Sequence, residues 1–405
     1  MSLESLAMLV VILAVAVLAP FVADHLARWV TVPTVVVEIL LGICVGPALF
    51  GLVKDVGIVA DLADLGLAFL MFIAGYEIEF ARLRGDPLKR ASWSWAASLL
   101  MGLAIGLLLA PGGAGLVVGL ALTTTALSVI VPIIRDSGDV ATRLGGRVLA
   151  VGTVGEFGPI LAIAFVFSGE RAQHTLVVLA GFTVFAVFGA WLARRPRHPR
   201  LERIVSATLG TSAQVAVRIC VLTVVGMFTI AQWLGLDPVL GAFTAGILVH
   251  VFLGSSDPEE AATVQSRLEG IGFGFLIPVF FVMSGVDLDI ESLVTDPLAL
   301  ATVPLFLALM AVVRGVPTFV FHRGVLDRRD RAALGLFAST GLPLIVVITT
   351  VGIDEDVLSS QHAAALVTAG LLSVLAFPQV AAKVRGSVRT REGSVGNRED
   401  DSPML

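Results

Sequence analysis

Apolar segments of about twenty residues recur along the whole chain, separated by short charged stretches or by Gly and Pro. An α-helix of that length crosses the hydrocarbon core of a bilayer. The chain is 57% hydrophobic and only 15% charged, whereas soluble domains carry about 25% charged residues. The sequence therefore predicts an all-α polytopic membrane protein with about thirteen transmembrane helices in the lipid bilayer.

The basic residues indicate an orientation for these spans. Most of the 27 Lys and Arg residues fall in alternate loops and in the tail, whereas the intervening loops hold only Lys54 and Arg171. Cytoplasmic loops are the ones enriched in Lys and Arg. We therefore predict an N-terminus outside the cell and a C-terminus in the cytoplasm. No Lys or Arg precedes the first apolar segment, so we expect it to remain as a span rather than act as a signal peptide.

Three pairs of segments repeat in consistent order along the chain. The matching pairs are 69–83 with 279–293, 119–134 with 334–349, and 33–47 with 237–251. Partners lie seven spans apart, and an odd offset inverts the second copy in the membrane. We predict a first inverted repeat over 1–168 (spans one to six), a linker span within 169–203, a second inverted repeat over 204–385, and a disordered cytoplasmic tail over 386–405.

The sixth span, 148–167, holds a single ionisable residue, Glu156, near its middle. A charge at the bilayer centre costs roughly 3 kcal/mol on insertion scales, which makes a functional role the default interpretation. Pro159 removes a helical hydrogen bond and pushes away the carbonyl of Gly155. A carboxylate beside a freed carbonyl oxygen suits a monovalent cation or a proton. The alternative is a protonated, hydrogen-bonded packing residue, or one that faces a pore wall.

The fifth and twelfth spans contain Ser, Thr and Gly runs in mid-membrane, close to Pro132 and Pro343. Broken helices at this depth are tolerated where they line a cavity or are buried in protein, and two breaks at equivalent repeat positions indicate the binding site. The alternative is that these hydroxyl groups bond back onto their own helices. The candidate ion-binding residues of the two breaks are Thr124, Thr125, Ser128, Ser339 and Thr340.

Three further charged residues lie inside apolar spans. Arg314, in the eleventh span, needs an anion or a carbonyl oxygen there. It is predicted to pair with Glu156, to balance a helix end, to hold the broken spans together, or to form a fixed structural ion pair. Arg218 is a weak candidate, since snorkelling toward the interface also explains it. Glu38, the one acid of the second span, is another weak candidate, with a structural bridge to a neighbouring helix as its alternative.

These segments resemble the second cation/proton antiporter family, which includes Kef-type potassium efflux systems and Nap-type sodium/proton antiporters. The resemblance covers about residues 5–383 and rests on EILLGICVGPALFGL, FLMFIAGYEIEFARL, LTTTALSVIVPII, LGLDPVLGAFTAGIL, FLIPVFFVMSGVDLD and GLPLIVVITTVGI. It implies the Na⁺/H⁺ antiporter fold, with inverted repeats and two crossing discontinuous helices. It also implies a six-span core domain that moves against a dimerisation domain, and a homodimer.

The resemblance also implies roles for particular residues. The family carries an ion-binding aspartate in the sixth span, preceded by Asp, Asn or Gln, and the matching pair here is Gly155 and Glu156. The family's basic residue in the eleventh span falls on Arg314. One acid and an arginine resemble the electroneutral members, whereas electrogenic ones typically have two adjacent acids and a lysine. Glu in place of Asp and Gly in place of a polar residue leave the choice of cation open.

We predict a secondary antiporter that exchanges Na⁺ or K⁺ for H⁺, electroneutrally and 1:1, by alternating access. It would act in pH homeostasis in a prokaryotic-type plasma membrane. The alternatives are a non-exchanging ion sensor on the same scaffold and an organic-solute carrier of related fold. An enzyme is not expected, because no nucleophile–base pair and no metal-ligand spacing occurs. We expect no cofactor, no nucleic-acid partner, and no nucleotide-binding domain, for which the tail is too short.

Overall fold

The computed structural model is helical across nearly all the residues it describes, namely 3–27, 32–54, 57–76, 85–136, 139, 142–166, 214–234, 238–253 and 258–395. In these ranges, nine helices are long and apolar enough to cross a membrane, and two shorter apolar helices accompany them. The predicted all-α polytopic membrane class is confirmed. The predicted linker span at 169–203 lies outside the described residues.

The helices of the first half follow the predicted apolar segments closely. They are α1 (Leu3–Ala27), α2 (Thr34–Val45), α3 (Ile58–Tyr76), α4 (Asp86–Leu109), α5 (Gly113–Ala121), α6 (Leu127–Asp136) and α7 (Arg143–Val166). Gly85 and Gly112 precede α4 and α5 with φ of 81° and 76°, a backbone conformation that favours glycine. These two glycines allow the chain to turn sharply into the next helix.

The second half has the same character but includes two π-helical stretches. Its helices are α8 (Val215–Trp233), α9 (Pro238–Leu253), α10 (Pro258–Ile271), α11 (Ile277–Val286), α12 (Ile290–Thr295), α13 (Pro297–Met310), α14 (Val316–Phe321), α15 (Arg328–Ala338), α16 (Pro343–Asp354) and α17 (Ser360–Val395). The π-helical stretches, Gly272–Leu276 and Ala311–Gly315, each end two residues before a proline. A proline cannot donate the regular i→i−4 bond, so a wider turn before it is physically reasonable.

The chain divides into two compact units, and each takes segments from both halves of the sequence. Unit one comprises Met1–Arg28, Thr34–Phe80 and Ile160–Ile290. Unit two comprises Trp29–Pro33, Ala81–Pro159 and Glu291–Leu405. The predicted repeats, with boundaries at residues 168 and 204, were defined by repeated sequence segments, whereas these units are defined by compactness. The repeat boundaries therefore stay a prediction.

Glycines allow the helices of unit one to approach backbone to backbone. A Cβ added to Gly42 on α2 would lie 2.1 Å from the carbonyl oxygen of Val282 on α11. A Cβ added to Gly246 on α9 would lie 2.1 Å from the carbonyl oxygen of Phe72 on α3. Small residues at such contacts are how membrane helices associate closely, because lipid provides no hydrophobic driving force between helices.

Unit two is built around α6, α7 and α15, whose apolar faces form one buried cluster that includes Ile130, Val148, Leu334 and Phe337. Ion pairs join the charged ends of its helices. Arg147 on α7 contacts Asp86 at 3.0 Å, and Arg385 on α17 contacts Asp330 at 3.1 Å and also Asp139. All five of these charged residues belong to loops or helix ends that the sequence assigns to the cytoplasmic side.

The last helix extends further than the sequence indicates. The predicted tail begins at residue 386, whereas α17 continues to Val395. Apolar periodicity ends near residue 383, but the polar residues that follow include good helix formers, so a helix already nucleated in the membrane can continue through them. Residues 396–405 lie outside the described part of the chain.

Candidate functional site

Two interrupted helices cross in unit two. Helix α5 ends at Ala121 and α6 begins at Leu127, and α15 ends at Ala338 before α16 begins at Pro343. The backbone N–H of Ala126 donates to the carbonyl of Thr340 at 2.7 Å, so the two breaks are in direct contact. Both predicted breaks are therefore confirmed. Pro343 begins the second half-helix, where its missing N–H costs nothing.

Thr125 connects the crossing to its surroundings. Its hydroxyl donates to the carbonyl of Ala338 on the other interrupted span at 2.6 Å. Its backbone N–H donates to the carbonyl of Gly155 on α7 at 3.0 Å. Its Oγ1 also accepts a hydrogen bond from Arg314 Nε at 3.0 Å. One buried threonine is thus bonded to three other spans, and the Gly155 carbonyl that Pro159 was predicted to free is the acceptor.

Arg314 lies in the π-helical stretch Ala311–Gly315 and is completely buried, with 0% of its surface exposed. Besides Thr125, its guanidinium donates to the carbonyl of Val151 on α7 at 2.8 Å and to Oγ1 of Thr318 at 3.4 Å. These three acceptors are neutral oxygens. Of the roles predicted for Arg314, the contact with Thr125 supports the one in which it holds a broken span in place.

Gly155 is closely surrounded, although it has no side chain. A Cβ at this position would lie 2.3 Å from Thr125 Oγ1 and 2.6 Å from Arg314 Nη2. The space in which a side chain at position 155 would begin is therefore taken by the threonine hydroxyl and the guanidinium. Glu156 follows directly on α7 and is partly exposed, in contrast to the buried residues of the crossing.

The other predicted hydroxyl groups have local partners. Thr124 and Ser339 donate to carbonyls of their own helices at 2.9 and 2.8 Å, and Thr340 does so at 3.1 Å. The back-bonding alternative therefore holds for these three side chains even though both helices are broken. Each hydroxyl oxygen keeps lone pairs as an acceptor. Ser128 lies on α6, and its side chain is outside the described part of the structure.

Sequence reasoning missed Ser373 on α17. Its Oγ accepts from the backbone N–H of Gly341 at 3.2 Å and lies 3.0 Å from the carbonyl of the same residue. Ser373 thus provides hydrogen-bond partners for backbone groups of the second break, which have no partner within a helix. The only available signal is a polar residue within an apolar segment, a signal that Thr368 shares. Thr318, one helical turn after Arg314, could have been found from that spacing, whereas the Val151 carbonyl could not.

Two weaker candidates belong to the other compact unit. Glu38 on α2 and Arg218 on α8 both belong to unit one. Arg218 is exposed, as snorkelling predicts, and Glu38 is buried. Within the described ranges, no group of three or more His, Cys, Asp and Glu side chains is arranged to hold a metal ion. A monovalent cation at the crossing would instead use the Glu156 carboxylate with hydroxyl and carbonyl oxygens near it.

The family model described as sodium/hydrogen exchanger, transmembrane, matches residues 12–382, and the chain belongs to this family. The Bacillus subtilis protein YjbQ is 28% identical over 398 residues, which is 92% of this chain and 62% of YjbQ. The Na⁺/H⁺ antiporter of Enterococcus hirae is 24% identical over 383 residues, 91% of this chain and 96% of that protein. The Na⁺/H⁺-K⁺ antiporter GerN of Bacillus cereus is 24% identical over 358 residues, 85% of this chain and 88% of GerN.

Comparison with solved structures gives the fold. The sodium proton antiporter MjNhaP1 of Methanocaldococcus jannaschii, solved at pH 8, matches with a TM-score of 0.66 at 16% identity. The match covers 94% of this chain and 99% of MjNhaP1. The chain thus has the Na⁺/H⁺ antiporter fold that the sequence predicts, and it is an integral membrane protein.

Proposed function

We propose that this protein exchanges Na⁺ or K⁺ for H⁺ across the membrane, with Glu156 binding either one proton or one cation at a time. Family membership supports ion exchange, and the relatives named as Na⁺/H⁺ and Na⁺/H⁺-K⁺ antiporters support these substrates. In this proposal the ions are the substrates, no cofactor takes part, and no chemical bond in an organic substrate is broken.

The observation that carries the proposal is a partly exposed carboxylate in mid-span, directly after Gly155, whose carbonyl is bonded to an interrupted helix. A bare carboxylate is costly inside a membrane, whereas a protonated or cation-bound one is neutral. Both loaded forms of Glu156 can therefore change their exposure from one side to the other, and the empty form cannot. This difference makes exchange obligatory and suppresses leak.

Arg314 supports electroneutral 1:1 exchange. Its guanidinium is bonded to three neutral oxygens and stays protonated throughout, so it adds the same charge to both loaded forms. The proton-loaded and cation-loaded sites then carry equal charge. A complete exchange cycle then moves no net charge across the membrane, as expected for alternating access with one carrier acid.

Replacement of Glu156 tests the function directly. In proteoliposomes with an internal pH dye, Na⁺ or K⁺ addition should drive proton flux in the wild type, and Glu156→Gln should abolish it. Glu156→Asp should keep part of the activity with an altered ion preference. The matched control is Asp61→Asn, which neutralises an exposed acid at the start of α3 and should leave exchange intact. Normal exchange by Glu156→Gln would show that the site lies elsewhere.

The charge stoichiometry has a separate test. A valinomycin-imposed potential, with Na⁺ as the exchanged ion, should leave the exchange rate unchanged. A rate that follows the potential would refute the 1:1 ratio while leaving cation/proton exchange itself standing. Absence of any cation-driven flux in the wild type would instead favour a sensor.

We also propose an N-terminus outside the cell, a cytoplasmic C-terminus, and a homodimer in a prokaryotic-type plasma membrane. The ion pairs of Asp86, Asp139 and Asp330 with Arg147 and Arg385 support the shared cytoplasmic side, because they join charged segments predicted to lie there. Cysteine labelling from each side of the membrane tests the orientation, and light scattering of the purified protein tests the dimer.

A further inference from the structure

A cavity of about 670 Å³ lies within unit one, and none of the residues assigned to ion exchange lines it. One face of α1 contributes Ala16 and Val17, and the start of α2 contributes Thr34 and Glu38. The π-helical stretch Gly272–Leu276 and the start of α11 form the remaining wall. Most of this lining is apolar. Its volume falls within the range of roughly 300–1,000 Å³ that is usual for small-molecule sites.

Glu38 is the single ionisable group in the described lining of this cavity. Its residue surface is only 4% exposed, and among the described residues its carboxylate has no hydrogen-bond or ion-pair partner. The structural bridge to a neighbouring helix, one alternative considered for this residue, is therefore not formed there. A buried carboxylate is expensive without a partner, and intramembrane acids mark functional sites by default.

The cavity opens on an apolar surface. Val17 is 65% exposed and Phe273, in the π-helical stretch, is 49% exposed. Single π-turns inside α-helices occur frequently at functional sites, because they displace the backbone and the side chains that follow. An opening bordered by such residues would admit an apolar molecule, and Glu38 places a carboxyl group inside the cavity.

We propose that this cavity binds a protonated amine carried on an apolar body. The ammonium group would pair with Glu38 and the body would contact the walls from α1 and the π-helical stretch. A bare metal ion fits less well, because hard cations take several oxygen ligands and the described side chains of the lining offer one carboxylate and the Thr34 hydroxyl. The amine is either a free lipophilic amine or the ethanolamine headgroup of a lipid.

Binding of radiolabelled n-octylammonium to the purified full-length protein in detergent tests this proposal. The wild type should bind it saturably, and unlabelled n-octanol, equal in length but neutral, should compete at least tenfold more weakly. Glu38→Gln preserves shape and removes the charge, so its affinity for octylammonium should fall at least tenfold. Ala16→Phe fills the cavity and leaves Glu38 intact, and it should also abolish saturable binding.

The control variant is Glu156→Gln, which alters the exchange site in unit two and should bind octylammonium like the wild type. Loss of binding in this variant would assign the amine to the exchange site and overturn the proposal. Equal binding by Glu38→Gln and the wild type would overturn it too, as would equal competition by octanol. The result is independent of the proposed exchange activity, since no ion flux is measured.

Native mass spectrometry then distinguishes the two sources of the amine. After incubation with phosphatidylethanolamine and phosphatidylglycerol, selective retention of phosphatidylethanolamine by the wild type, lost in Glu38→Gln, identifies the lipid headgroup. Saturable octylammonium binding without such retention identifies a free amine. Both outcomes support the shared chemistry.

Discussion

Replacement of Gly155 by alanine offers a sharp test of the arrangement at the crossing. The new methyl group would lie 2.3 Å from Thr125 Oγ1 and 2.6 Å from Arg314 Nη2, far inside normal contact distances. Either neighbour must move by about 1 Å to restore contact. Movement of the guanidinium would lengthen or break its 2.8 Å hydrogen bond to the Val151 carbonyl.

The cost follows from two contributions. Overpacking of a tightly packed interior costs about 1–3 kcal/mol. Loss of a hydrogen bond from a charged group costs about 1.5–3 kcal/mol. Alanine gains up to about 1 kcal/mol over glycine in a helix, which offsets part of this. We therefore expect Gly155→Ala to lose roughly 2–5 kcal/mol of stability, and to slow exchange strongly because the guanidinium next to Gly155 is displaced.

Gly146→Ala is the matched control, because it makes the same change on the same helix. No atom lies within 4 Å of a Cβ at this position, so the variant should be as stable as the wild type or slightly more stable. Fluorescence-monitored thermal unfolding and proteoliposome exchange measure the two effects. If Gly155→Ala matches Gly146→Ala in both, the tight contact among Gly155, Thr125 and Arg314 is not needed.

Two further variants probe the hydrogen bonds of the crossing. Thr125→Val keeps the shape of the side chain but removes the hydroxyl that bonds Ala338 and Arg314. Thermal unfolding should show a loss of about 2–4 kcal/mol of stability, and exchange should be slower. Thr125→Ser should recover most of the stability and of the exchange rate. Ser373→Ala should destabilise the protein by about 1–2 kcal/mol in the same assay, because the break at residue 341 loses its partner. Ser284→Ala, which removes a bond within one helix, should cost less, and an equal cost would contradict the special role of Ser373.

The sequence was sufficient for the membrane class and the two breaks, because both depend on local chemistry. Apolar length fixes which segments can span, and Ser, Thr and Gly in mid-span weaken helices wherever they occur. Glu156 and Arg314 were identifiable for a similar reason, since ionisable residues inside spans are rare. The boundaries of the two inverted repeats remain a prediction. The predicted linker span lies outside the described residues.

The partners of these residues were beyond sequence reasoning. Arg314 binds the Val151 carbonyl, and a backbone oxygen has no sequence signature, because its availability depends on how α7 packs. The π-helical stretch that carries Arg314 shifts the register of its span by an amount that hydrophobic periodicity does not reveal. The cavity beside Glu38 likewise results from the packing of the first two helices against a segment more than 230 residues further along the chain.

The bonds of Thr125 have a mechanical consequence. The side chain of Thr125 is bonded to two other spans and its backbone N–H to a third, so the middle of the fifth span cannot separate from its neighbours by fraying of one helix. The two interrupted helices should therefore move together as a rigid block during the transport cycle. Substitutions that slow exchange without changing the cation preference should therefore lie far from Thr125. Substitutions that change the cation preference should lie close to it.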